Sequence, residues 1–88
     1  MNLFRRRGPG PLHLRLLSRP GCHLCERMRA VAEPVLAANG GSLTEVNVDS
    51  DPALAERWGN EIPVLLDAAG TVFARVRDTD EQIRRRLG

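Results

Sequence analysis

The strongest constraint in this chain is a change of hydrophobic period across one short break, Ser18-Arg19-Pro20-Gly21, with two cysteines directly behind it. Before the break, Leu12, Leu14 and Leu16 alternate with His13 and Arg15, the period of a strand with one apolar face. After it, Leu24, Met28, Val31 and Val35 recur at i, i+4, i+7 and i+11, the period of one helix face. A Pro-Gly pair between them sustains neither element, so it reads as the turn that joins them. An all-helical or all-strand architecture is excluded. The chain must build a strand–turn–helix unit, and Cys22 and Cys25 fall at the start of that helix.

The rest of the sequence extends the unit. Pro34 lacks the N–H that would bond to Ala30, which predicts a kink; Val35 and Leu36 carry the apolar stripe past it. Asn39-Gly40-Gly41 is a stop. Thr44, Val46 and Val48 alternate with Glu45 and Asn47, a second strand. Asp51-Pro52 supplies an N-cap and a first-turn proline for a short helix that pairs Leu54 with Trp58 and ends at Gly59. Ile62 to Leu66 is a compact apolar strand, Ala68-Ala69-Gly70 a turn, and Thr71 to Val76 a further strand. Thr79 with Gln82 forms a capping box for a last helix buried through Ile83 and Leu87. The order is β-α-β-α-β-β-α. A helix between the first two strands makes them parallel, and the tight turn between the last two makes them an antiparallel hairpin. The expected fold is α/β, a four-stranded mixed sheet with helices on both faces.

Size and charge bound what such a fold can do. The chain has 88 residues, enough for one small domain. Residues 1–11, rich in Gly and Pro, read as a flexible leader, and residues 12–88 as the domain. Its 42% hydrophobic and 27% charged residues are those of a soluble globule, without a membrane span. All 13 basic residues are arginine and net charge is +2; basic density peaks at the ends, in Arg5-Arg6-Arg7 and Arg84-Arg85-Arg86. Few aromatics accompany them, which disfavours nucleic-acid binding. Gly8-Pro9-Gly10-Pro11 interrupts any export signal, and a cytoplasmic location is expected. Two cysteines are too few for a disulfide-stapled scaffold. They have meaning as a pair.

CxxC at a strand-to-helix junction in a β-α-β context is the arrangement of a redox dithiol. Cysteines three apart on a first helical turn are close enough to bridge with little backbone movement. The first sits beside unpaired N–H groups and the positive end of the helix dipole, which favour a thiolate. Such settings bring thiol pKa values from about 8.5 into the range of roughly 3.5–7.5. Cys22 is therefore assigned as the nucleophile and Cys25 as the resolving thiol. His23 and Arg19 add positive charge nearby, and Glu26 opposes them. A pair of inert buried cysteines is the plainer alternative, which the Pro-Gly approach and helix start disfavour. A zinc site would need His13 and His23 as well, from awkward positions, so no metal is expected. Haem attachment requires histidine after the second cysteine, where Glu26 stands. Ile62-Pro63, heading the third strand, is either an ordinary trans strand opening or a cis bond marking a specified turn. A cis bond beside the CxxC would expose the Ile62 backbone to a bound thiol peptide.

Taken together, Arg19-Pro20-Gly21-Cys22-His23-Leu24-Cys25, Asp49-Ser50-Asp51-Pro52 and Gly59-Asn60-Glu61-Ile62-Pro63-Val64-Leu65 resemble a small bacterial glutaredoxin-like protein of the thioredoxin superfamily. The resemblance runs from Leu12 to Leu87. It implies a thioredoxin-like fold, with Pro63 as a cis-proline against the cysteine pair. It also implies that Arg19 meets a glutathione carboxylate, with N–H groups at Asp78 and Thr79 serving another. Departures are visible. His23-Leu24 replaces the usual residues between the cysteines, and Leu16 stands where thioredoxins carry a buried acid. Ala74-Arg75 replaces a Gly-Gly pair that glutaredoxins place against glutathione.

The function this implies is thiol–disulfide oxidoreduction in cell redox homeostasis. The substrate is then a disulfide-containing protein or a glutathione mixed disulfide, with glutathione as a co-substrate and no tightly bound cofactor. A monomer is expected. Two alternatives belong to other classes: a carrier in which two chains share an iron–sulfur cluster through Cys22, and a non-catalytic interaction domain that keeps the fold.

Overall fold

The computed structural model describes residues 11–75 and 80–87. Strand β1 (His13–Ser18) leads through Arg19–Cys22 into helix α1 (His23–Ala38). Strand β2 (Ser42–Asn47), a 3-10 turn (Val48–Ser50) and helix α2 (Pro52–Trp58) follow. Strands β3 (Val64–Leu66) and β4 (Val72–Arg75) then form a hairpin, and helix α3 (Asp80–Leu87) closes the order. The four strands lie in the order β2-β1-β3-β4. β1 and β2 are parallel, with His13 beside Ser42 and Ser18 beside Asn47, while β3 runs antiparallel to both β1 and β4. This is the mixed sheet expected from the sequence.

Side-chain alternation divides the interior in two. Leu14 and Leu16 of β1, Leu65 of β3 and Ala74 of β4 face α1 and α3, where Met28, Val31, Ala32, Leu36, Ile83 and Leu87 meet them. Leu17, Val64 and Leu66 point the other way, onto Val48 and Trp58. Residues of successive parity thus serve opposite faces, so all three residues of β3 are buried. The sheet is covered by helices on both sides.

Two readings of local pattern need correction. The buried stripe of α1 is Cys25, Met28, Val31, Ala32 and Leu36, whereas Leu24 is 55% exposed and Val35 half-buried. The stripe is rotated by one position at its start, with a cysteine where leucine was expected. Thr44 is exposed although Val46 and Val48, at the same parity, pack on the smaller core; β2 is an edge strand. Helix α1 continues through Pro34 to Ala38. Its end is closed by Gly40 N–H and Gly41 N–H, which donate to Ala37 and Leu36 carbonyls. In the β3–β4 turn, the Asp67 carboxylate accepts from the N–H groups of Ala69 and Thr71, and Gly70 takes a positive φ of 85°. The Thr79–Gln82 capping box and Val76 involve positions outside the described residues. So do residues 1–10 of the leader. Among the described residues, no helix is long and apolar enough to cross a membrane.

Candidate active site

The turn after β1 places the cysteines. Gly21 adopts φ 81°, a conformation that L side chains rarely take, and Cys22 N–H donates to the Arg19 carbonyl at 3.1 Å. The chain is thereby folded back so that Cys22, with extended backbone angles, becomes the N-cap of α1. Its Sγ accepts from Cys25 N–H at 3.2 Å, one of the amides that a helix start leaves without an internal partner. The two cysteines are joined as a disulfide, with Cα atoms 5.2 Å apart, well inside the range such bridges span. They differ in exposure. Cys22 is partly exposed, and Cys25, one turn further in, is 1% exposed.

A cleft of about 370 Å³ opens beside the pair, lined by the β1–α1 turn, Glu26 and Arg29 of α1, and Glu45 and Asn47 of β2. Its two arginines are already matched. Arg19 grips Asp49 with both nitrogens of one edge, Nε to Oδ2 at 2.7 Å and Nη2 to Oδ1 at 2.9 Å. This hydrogen-bonded pairing raises the Arg19 pKa and lowers that of Asp49, each held more firmly in its charged form. A Cβ at Gly59 would approach Arg19 Nη2 to 3.4 Å, so the guanidinium also lies against the end of α2. Also in the lining, Glu45 accepts from Ser18 Oγ at 2.8 Å and from Arg29 Nη1 at 3.2 Å.

The residues singled out in the sequence are only partly gathered here. Cys22, Cys25 and Arg19 line the cleft. His23 projects into solvent with its Nδ1 3.9 Å from Glu26 Oε1, and it does not line the cleft. The Ile62–Pro63 bond is cis. Pro63 is fully buried at the head of β3; one step beyond the paired register of β1 and β3 it falls alongside Ser18, next to the turn that carries Cys22. Ile62 packs on the smaller core. Asp78 and Thr79 lie outside the described residues. Among the described residues no group of three or more metal-ligating side chains assembles.

Asp49, Glu45, Arg29 and Ser18 were not identified as site residues from the sequence. No local pattern marks them: the parallel register sets Ser18 beside Asn47, so β1 and β2 end at the same level and Arg19 comes within reach of Asp49.

Comparison with known proteins agrees with this architecture. The glutaredoxin-like domain family (DUF836) matches residues 13–88. A structural-genomics target protein from X. campestris is 30% identical, with a TM-score of 0.64 over 84% of this chain and 93% of that one. A thioredoxin variant from Halobacterium salinarum shares the fold at 20% identity, with a TM-score of 0.61 over 89% of this chain and 73% of that one. None of the curated proteins matches the sequence. A four-stranded mixed sheet, a strand–turn–helix start and a bridged CxxC thus coincide with a family match over nearly the whole chain, and the protein, with a thioredoxin-like fold, belongs to the glutaredoxin-like domain family.

Proposed function

We propose that the protein is a thiol–disulfide oxidoreductase in which Cys22 is the nucleophile and Cys25 the resolving thiol. The observation that carries this reading is the unequal placement of the two sulfurs. Cys22 Sγ is partly exposed and accepts a helix-start N–H, while Cys25 is buried directly behind it. A hydrogen bond and the positive helix end stabilise sulfur as an anion, and burial protects the second thiol from outside reagents.

In the reduced protein, Cys22 thiolate attacks one sulfur of a substrate disulfide. A Cys22–substrate S–S bond forms as the substrate's own S–S bond breaks, and the departing thiolate takes a proton from water. Cys25 then gives its proton to water and attacks Cys22 Sγ. The Cys22–Cys25 bond forms as the Cys22–substrate S–S bond breaks, and the second substrate sulfur leaves as a thiolate. The substrate has gained two electrons and the protein dithiol has lost them. Two glutathione molecules, or the dithiol of a partner reductase, return the pair to the reduced form. The substrate is a disulfide-containing protein or a glutathione mixed disulfide, and a reducing cytoplasm suits the cycle. Pro63 and the Ile62 backbone beside the turn serve to hold the substrate chain.

The test is reduction of a protein disulfide and of a glutathionylated peptide by the wild type and two variants. Cys22→Ser abolishes both activities. Cys25→Ser accumulates a mixed disulfide at Cys22, visible by mass, and loses turnover through the dithiol route. Activity that survives Cys22→Ser contradicts the assignment.

A further inference from the structure

The cleft beside the cysteines has charged walls and no unclaimed charge on its two arginines. Arg19 is held by both oxygens of Asp49, and Arg29 by Glu45, whose other oxygen accepts from Ser18. Glu26 adds a further carboxylate to the lining. A ligand that carries carboxylates must therefore displace an internal carboxylate to reach either guanidinium, and it meets Glu26 and Glu45 on entry. An uncharged ligand pays neither cost. Next to Cys22, Leu24 is 55% exposed, an apolar contact on the same helical turn.

We propose that Asp49 is a specificity-determining residue: by holding Arg19, it tunes the Cys22–Cys25 site away from disulfides that carry carboxylates, glutathione mixed disulfides among them, and toward disulfides set in uncharged polypeptide. The inference rests on the exchange reading above and narrows its substrate class. It also reverses the expectation, drawn from resemblance, that Arg19 is available to a glutathione carboxylate.

The probe is one short uncharged peptide carrying glutathione in a mixed disulfide, compared with the same peptide carrying glutathione dimethyl ester. Dithiothreitol serves as the reductant, at low ionic strength. The ratio of kcat/KM for the acid over the ester isolates the ligand's carboxylates. Asp49→Asn raises that ratio about two- to fivefold, the scale of one exposed ion pair. Adding Arg19→Met to Asp49→Asn returns the ratio to the wild-type value, and 0.5 M salt shrinks the gain. An unchanged ratio in an Asp49→Asn protein that folds as the wild type does overturns the proposal, as does a gain that persists without Arg19. Binding of S-methylglutathione, followed by NMR titration, reads the same preference without turnover: Asp49→Asn tightens it, and an unchanged affinity counts against the proposal. A wild type that binds but turns over neither peptide instead contradicts the oxidoreductase reading.

Discussion

Two helix starts in this small domain solve the same problem with different atoms. At α2, Asp51 caps the helix: its Oδ1 accepts from Ala53 N–H at 2.9 Å, and Pro52 follows in the first turn. At α1, the cap is Cys22, whose sulfur accepts from Cys25 N–H at 3.2 Å. A carboxylate, a hydroxyl or an amide is the strong choice for that job, and a thiol is a weak acceptor. The α2 start is thus built for stability. The α1 start forgoes the better cap and places a sulfur where the helix stabilises its anion. Its first turn also exposes Leu24, an apolar side chain that the core does not use. On the proposed exchange reading, the weaker cap falls at the turn that carries the nucleophile.

Exchanging the two solutions should break the comparison in opposite directions. The largest effect is expected from Cys22→Ser. It improves the cap and removes the nucleophile, so disulfide reduction falls to background. Stability relative to the reduced wild type stays level or rises by up to about 1 kcal/mol. Parallel activity assays and denaturant titrations check it; a large loss of stability would mean that the sulfur is structural. Asp51→Ala should do the reverse, costing about 1 kcal/mol and lowering Tm by roughly 4–8 °C for a domain of this size, with exchange rates retained. A smaller effect concerns the Arg19–Asp49 pair on the cleft wall. Asp49 has a lowered pKa in the folded protein because it is hydrogen-bonded to Arg19, so its contribution is present above the ordinary carboxylate range. That contribution disappears as pH falls through the folded value. Asp49→Asn should therefore flatten the acid limb of stability against pH, and leave the neutral region nearly unchanged because the pair is exposed. The smallest stability effect belongs to Leu24→Ser, within about 0.5 kcal/mol, because little apolar surface is lost from the interior. The same variant should raise KM for a peptide disulfide, which sharpens the distinction between a turn that packs and a turn that binds.

The strand–turn–helix unit was legible because its signals are local: alternation, a Pro-Gly break, and a helical period beginning beside the cysteines. The cap at Asp51 and the turn before Thr71 were readable for the same reason. The exact face of α1 was not. Leu24 and Cys25 both lie at helical spacing from Met28, and hydropathy favours leucine, yet the sheet receives Cys25. Neighbouring strands, rather than the helix's own sequence, decide between two such stripes. The Arg19–Asp49 pair spans 30 residues and arises from β1 and β2 lying in parallel register, so no local pattern announces it. The same holds for Glu45, which on an edge strand looks like an ordinary solvent-facing residue until Ser18 and Arg29 are brought to it.

On the proposed function, the α1 start makes Cys22, and not Cys25, the reactive thiol. Iodoacetamide alkylation of the fully reduced protein as a function of pH, with the modified residue mapped by mass, tests it directly. Cys22 is expected to be alkylated first, with a rate that titrates at a midpoint below that of an ordinary thiol. Faster alkylation of Cys25, or a Cys22 midpoint at or above that of an ordinary thiol, would contradict it.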